Sequence, residues 1–143
     1  MVIFQGQSRS EPGRAIDHAM NAARAALAIR ARTGELNDEH AGVYPEIALH
    51  MGINTGEALV GATKIGGAGS QRWTFTATGP TTNLAARFAG SAQGDEIVVG
   101  PATAERIMGF FVLENLGERT FKNVSQPLRV YRIIPPGVYD TIA

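Results

Sequence analysis

Residues 72–88 read RWTFTATGPTTNLAARF, and this stretch predicts a strand that runs directly into a helix. As far as Thr78, hydroxyl or basic residues alternate with apolar ones, which is the two-residue period of a strand with one apolar face. A glycine and Pro80 then interrupt the strand, and proline is favoured in the first turn of a helix. Leu84 and Phe88 are four residues apart, so they predict the core-facing stripe of that helix.

Outward from this stretch, helices and strands are mixed without strict alternation. Apolar spacing and turn residues predict a buried strand end at 1–4, helices at 14–32, 81–90 and 101–108, and strands at 47–53, 57–61, 72–78, 97–99, 110–116 and 128–134. The strand at 57–61 is expected to form a hairpin with 47–53, and residues 62–70 to form a glycine-rich loop. The pattern therefore predicts an α+β sandwich with helices on one mixed sheet, a domain over 1–134 and a short tail over 135–143.

Composition narrows the function classes. Thirteen Lys+Arg balance thirteen Asp+Glu, and there is no cysteine, so disulfides, zinc-thiolate or iron–sulfur sites and a cysteine nucleophile are excluded. Because no basic face is implied, nucleic acid is not an expected partner. Since no apolar run approaches the roughly 20 residues that span a bilayer, we expect no membrane contact and a cytoplasmic setting. The three histidines share no metal-ligand spacing, which excludes a zinc site.

Four polar residues are candidates for chemistry. Asn83 and Arg87 are four apart on one helix face and could stabilise an oxyanion, although a solvated pair has the same spacing. Thr76, near the end of the preceding strand, could face the same crevice or could simply favour a strand. Lys122 could contact a phosphate or be a solvated loop residue. The loop at 62–70 lacks the residue order of a P-loop.

Three ordered blocks carry a family resemblance. Residues 50–61 (HMGINTGEALVG), residues 72–87 and the stretch from Leu116 to Tyr131 closely resemble the successive signature blocks of the class III adenylate/guanylate cyclase catalytic domain. The resemblance implies a ferredoxin-like α+β fold and an active site formed between two domains, usually in a head-to-tail dimer. The expected partners are a purine nucleoside triphosphate and a second copy or another cyclase domain.

The resemblance also implies roles for the candidate residues. Asn83 would orient the ribose, and Arg87 would neutralise charge on the phosphates in the transition state. Thr76 would occupy the base-recognition position and favours ATP over GTP, while Lys122 would contact the triphosphate. Asn123 stands where the family has a glycine after this lysine.

The family's two metal-binding aspartate blocks, which would precede residues 1–4, have no counterpart in this sequence, and neither has its base-contacting lysine. The resemblance therefore indicates an N-terminally truncated domain that lacks the first strand-helix-strand of the family. Mg²⁺ or Mn²⁺ serves the intact family, but this chain's own residues are expected to bind no metal and to be inactive as a homodimer. Missing strands would leave sheet edges that favour dimerisation. The alternative is a degenerate domain that serves as a regulatory or dimerisation module.

Overall fold

The computed structural model describes residues 1–4, 18–66 and 72–137. These ranges contain three helices and six strands, in the order α1 (His18–Glu39), β1 (Met51–Ile53), β2 (Leu59–Ile65), β3 (Arg72–Thr78), α2 (Pro80–Ser91), β4 (Ile97–Val99), α3 (Pro101–Ile107), β5 (Leu113–Arg119) and β6 (Leu128–Ile133). The predicted α+β class is confirmed. Within the same ranges, no helix combines the length and apolarity needed to cross a bilayer.

Four strands form a mixed sheet in the order β1-β4-β6-β5. β1 runs parallel to β4, whereas β6 is antiparallel to both of its neighbours. β2 and β3 form a separate antiparallel hairpin. The prediction that 57–61 pairs with the strand before it was therefore wrong. After Ile53, whose carbonyl accepts the Gly100 amide at 3.1 Å, the chain turns towards the start of α2 instead of folding back on β1.

The sheet separates two apolar clusters because β4 is buried on both faces. Ile97 and Val99 pack with α1 and α3, in a cluster that includes the small side chains of α1. Val98 points the other way and packs with Phe88 of α2 and Val130 of β6. α1 and α3 therefore cover one face of the sheet and α2 covers the other.

α1 extends to Glu39, so the predicted end at Thr33 and Gly34 was wrong. The Thr33 hydroxyl donates back to the Ile29 carbonyl at 2.9 Å, as a hydroxyl within a helix can. Arg32 also contacts Glu35 at 2.8 Å and Glu39 at 3.1 Å, which links the turns on either side of the glycine. The predicted start of this helix, at 14–17, lies outside the described residues.

Three other boundaries differ from the predictions. Residues 1–4 form no strand, and Met1 is 80% exposed, so the expected buried strand end was wrong. β1 begins only at Met51, because the Asn37 side-chain amide occupies both the N–H and the carbonyl of Ile47. β5 begins at Leu113 because the amides of residues 110 and 111 donate to the Ile107 carbonyl and prolong the turn after α3.

Two further predictions fall partly on residues beyond those described. β2 continues to Ile65, so the first half of the expected glycine-rich loop is strand, while residues 67–71 are not described. Most of the predicted tail, from residue 138 onwards, also lies outside the described residues.

Gly52 brings α2 against the sheet. A β-carbon at this position would collide with the Ala85 carbonyl oxygen and the Ala89 amide nitrogen, both on the α2 backbone. Only glycine permits this close approach of helix and strand. β1 therefore fixes the middle of α2, the helix that carries the candidate site.

Candidate functional site

The N-terminus of α2 is held by the loop that follows β1. Gly79 precedes the helix with φ 124°, a conformation that favours glycine, and Pro80 follows at the first helical position. The Thr81 hydroxyl donates to the Glu57 carbonyl at 2.6 Å, and the Asn54 side-chain amide donates to the Thr81 carbonyl at 3.1 Å. The strand-glycine-proline-helix pattern thus fixes where α2 begins.

One face of α2 forms a wall of an open groove with a volume of about 900 Å³. Asn83, Arg87 and Ser91 recur every four residues and line this wall. Phe88 is buried towards the sheet. Asn83 is exposed and Arg87 is half-buried, so the amide and the guanidinium reach one accessible surface.

The opposite wall consists of residues 119–122, at the end of β5 and in the loop after it. The Phe121 ring packs edge-to-face on Phe88, with centroids 5.3 Å apart, and attaches this loop to α2. Lys122 is exposed and lines the groove. Asn123 has φ 63°, in the left-handed region, where asparagine is one of the few residues that substitute for glycine. The departure from the family glycine is therefore compatible with the turn that presents Lys122.

The groove is electropositive. Among the described residues, its lining includes the three cations Arg87, Arg119 and Lys122 and no carboxylate. The Arg119 guanidinium donates to the Ser91 carbonyl at 3.1 Å, which joins the two walls at one end. An open, cationic groove with an amide and hydroxyls suits a phosphorylated ligand.

The acidic residue Glu96 interacts electrostatically with Arg119 but is not among the residues that line the groove. Burial raises the pKa of Glu96, but the hydrogen bond from the Gln93 amide and the contacts with Arg132, together with the charge of Arg119, lower the pKa overall. Glu96 accepts from the Gln93 amide at 2.9 Å and from Arg132 at 2.5 Å. The carboxylate of Glu96 is thus already bound by Gln93 and Arg132.

Thr76 is not among the residues that line the groove. It lies in the middle of β3, opposite Gly61 of β2, and is half-buried. The structure therefore brings together three of the four predicted site residues and places the fourth in the hairpin.

Sequence reasoning missed Arg119, Thr120 and Ser91 as lining residues. Arg119 could have been predicted, because it lies three residues before Lys122 in the same basic segment. Ser91 continues the four-residue spacing of Asn83 and Arg87 by one more turn.

The described residues contain no cluster of three His, Cys, Asp or Glu side chains that could hold a metal ion. The groove itself offers cations, an amide and hydroxyls. These groups suit an anion, whereas Mg²⁺ prefers carboxylate oxygens.

Comparison with known proteins identifies the family to which the fold belongs. The family model of the adenylate and guanylate cyclase catalytic domain matches residues 1–134. Adenylate cyclase 1 of Rhizobium meliloti is 30% identical over 120 residues, which are 82% of this chain and 17% of that protein. The crystal structure of the adenylyl cyclase CyaB from P. aeruginosa is 25% identical, with a TM-score of 0.70 over 82% of this chain and 59% of that one.

A third relative shares the fold at lower identity. The guanylate cyclase domain of RhGC from Catenaria anguillulae, solved in complex with GTP, is 22% identical, with a TM-score of 0.69 over 87% of this chain and 63% of that chain. This chain therefore spans less than two thirds of each of these relatives. The match over nearly all of its own length shows that the chain belongs to the family of class III adenylate/guanylate cyclase catalytic domains.

Proposed function

We propose that this chain supplies the ribose- and phosphate-binding half of a nucleotidyl cyclase site, acting on a purine nucleoside triphosphate. The product would be a 3′,5′-cyclic nucleotide, and pyrophosphate would leave. The observation that carries this proposal is the groove in which Asn83, Arg87 and Lys122 meet, where the part of the chain that the structure describes contributes no acidic lining residue. A groove of this charge favours a polyanion over a neutral or cationic ligand.

The residue types suit the chemistry. The 3′-hydroxyl oxygen attacks the α-phosphorus, the bond from that phosphorus to the bridging oxygen of the β-phosphate breaks, and the hydroxyl proton is released. Such an in-line displacement is accelerated mainly by positioning and by neutralisation of charge. Asn83 would orient the ribose, Arg87 would neutralise charge developing on the phosphates, and Lys122 would contact the leaving group. All three side chains are presented by backbone that packing holds in place.

The family's Mg²⁺ or Mn²⁺ does not fit this groove. Two metal ions that neutralise phosphate oxygens need carboxylates, and none of the described residues that line the groove is acidic. We propose that a second cyclase domain provides them, and that a homodimer of this 143-residue chain does not turn over.

The hairpin supports a second domain as the partner. Phe75 lies opposite Ala62, and Trp73 projects to the same side of β3. Both aromatic side chains are largely exposed, and Val60 of β2 lies on the same face. An apolar face of this kind suits contact with another protein surface, either a second copy or a different cyclase domain.

ATP is the proposed substrate in preference to GTP. Two of the relatives described above are named adenylate or adenylyl cyclases. By the family resemblance Thr76 would occupy the base-recognition position, and its strand leads into α2 through Gly79. Its hydroxyl would accept or donate a hydrogen bond at the purine edge.

Complementation tests the proposal. P. aeruginosa CyaB, with the counterpart of Arg87 replaced by alanine, keeps the rest of its own site and should be inactive alone. Adding this chain should restore cyclic AMP formation, because it supplies the missing arginine across the domain boundary. Arg87→Ala in this chain should remove the recovery, and Arg24→Ala, an exposed arginine on α1, should not.

A preorganised donor of this type is typically worth on the order of a hundred- to a thousand-fold in rate. No recovery above either protein alone would contradict the proposal.

The lack of carboxylates among the groove residues that the structure describes also favours a second candidate, a regulatory or dimerisation module that binds nucleotide without turnover. Tight ATP binding together with failed complementation would favour this alternative. Restored cyclic AMP formation would exclude it.

A further inference from the structure

We propose that Arg119 is a third phosphate-binding residue of the groove and contacts the terminal phosphate of the triphosphate. This inference rests on the proposed function, since it assumes that the groove holds a nucleoside triphosphate. It assigns a role to a residue that neither the sequence motifs nor the family resemblance singled out.

The position of Arg119 is fixed from both sides. It is the last residue of β5, where it pairs with Leu128 of β6, and its side chain is half-buried. Its Nη1 donates to the Ser91 carbonyl oxygen at 3.1 Å, at the C-terminal end of α2. The guanidinium is thereby attached to the same helix that carries Arg87.

Much of the hydrogen-bonding capacity of Arg119 is uncommitted. A guanidinium has five N–H donors in a planar fork, and the Ser91 carbonyl takes one of them. Three other arginines, Arg32, Arg129 and Arg132, have carboxylate partners, whereas no carboxylate of the described residues lies within ion-pair distance of Arg119. A fixed fork with open donors suits bidentate binding of a phosphate.

The order of the lining residues along α2 indicates which phosphate Arg119 contacts. Asn83, Arg87 and Ser91 follow one another at intervals of about one turn, so each lies about 6 Å beyond the last along the axis. If Asn83 orients the ribose and Arg87 faces the α-phosphate, the chain of phosphates continues towards Ser91. Arg119 lies at that end.

The experiment compares ligands with different numbers of phosphates. Binding of ATP, inorganic triphosphate and AMP to the full chain is measured by isothermal titration calorimetry. Arg119→Gln should weaken binding of ATP and of inorganic triphosphate by about 10- to 100-fold, the range typical of a charge-assisted hydrogen bond. AMP binding should change less than about twofold, because AMP has no terminal phosphates to contact Arg119.

Two arginine variants provide the controls. Arg24→Gln removes the same charge from α1, on the other face of the sheet, and should leave all three affinities unchanged. Arg119→Lys keeps the charge but loses the fork, so it should retain part of the triphosphate affinity. It also gives a reading should Arg119→Gln fail to fold.

Each remaining outcome overturns a specific claim. If Arg119→Gln weakens the binding of ATP and of AMP equally, Arg119 only supports α2 through Ser91. If it weakens the binding of neither, Arg119 does not contact the ligand. Either result overturns the inference. If Arg87→Gln weakens ATP binding while Arg119→Gln does not, the proposed function survives and this inference fails. If the unmodified chain binds neither ATP nor inorganic triphosphate, both fail.

Discussion

The four-stranded sheet and the β2–β3 hairpin are stabilised in different ways. In the sheet, Ile97, Val98 and Val99 of β4 are completely buried between helices on both faces. In the hairpin, seven backbone pairs align the strands, yet Trp73 and Phe75 remain 64% and 63% exposed. Burial therefore stabilises the sheet, whereas backbone pairing aligns the hairpin while its two aromatic side chains stay largely exposed.

This difference separates the parts of the chain that maintain the fold from the parts that meet other molecules. The groove lies at the boundary between them. Phe88 belongs to the core, and the neighbouring Arg87 lines the groove on the same helix. A core substitution should thus disturb the site, whereas a hairpin substitution should change association.

The largest expected effect comes from truncating matched phenylalanines. Phe88→Ala removes a completely buried ring that also contacts Phe121, and should lower the free energy of unfolding by about 3–5 kcal/mol. Phe75→Ala should cost less than about 1 kcal/mol, because its ring is mostly in water already. Urea unfolding measures both.

The same two variants also separate effects on stability from effects on self-association. Phe75→Ala should weaken concentration-dependent self-association in light scattering while leaving the unfolding transition nearly unchanged. Equal destabilisation by the two variants would contradict the division between core and hairpin.

Substitutions at two glycines are expected to differ less in their effect on the free energy of unfolding. Gly52→Ala places a methyl group against the α2 backbone and should cost about 1–3 kcal/mol, because the helix has to move away from β1. Gly61, in β2 of the hairpin, has nothing within 4 Å of the equivalent β-carbon, so Gly61→Ala should be close to neutral. Thermal unfolding of both variants measures the difference. Comparable losses would show that the hairpin is packed as tightly as the sheet.

Local patterns predicted much of the fold. Alternation and the glycine-proline break gave β3 and α2, and the short apolar run at 97–99 gave β4. Strand pairing was not predictable in the same way, because it depends on contacts that are distant in sequence. Nothing near Ile53 indicates that its carbonyl accepts the Gly100 amide rather than continuing into a hairpin.

The candidate site was also predictable only in part from the sequence. Helical spacing predicted that Asn83 and Arg87 share a face, and both line the groove. Arg119 depends on a tertiary contact, since Ser91 is 28 residues away in the chain. Thr76 was expected at the crevice because it precedes α2, but pairing with β2 places it in the hairpin. Its role in base recognition stays a prediction.

The smallest expected effect concerns an ion pair at the rim of the sheet. Arg132 of β6 contacts Glu96 at 2.5 Å and also contacts Glu114 of β5. The hydrogen bonds that Arg132 donates to these two carboxylates raise its pKa, with the bond to Glu114 the larger cause. Glu96→Gln should cost about 1 kcal/mol at neutral pH, because Arg132 retains Glu114.

The pH dependence of this loss follows from the sign of the shift. The pKa of Glu96 is lower in the folded chain than its ordinary value of 4.5, so the folded state binds its proton less readily than the unfolded state. The stabilisation is complete above that ordinary value and is lost as the pH falls through the lower, folded-state pKa. The difference between the original chain and Glu96→Gln should therefore shrink in urea titrations as the pH is lowered below about 4.5. Glu118→Gln is the control, because its 3.5 Å contact with Arg129 is exposed and its loss should change the free energy of unfolding by less than about 1 kcal/mol. A difference in the free energy of unfolding that is the same at every pH would show that Glu96 stabilises the fold through packing. The pair of Arg132 and Glu96 would then resemble the apolar core rather than the exposed ion pairs of the surface.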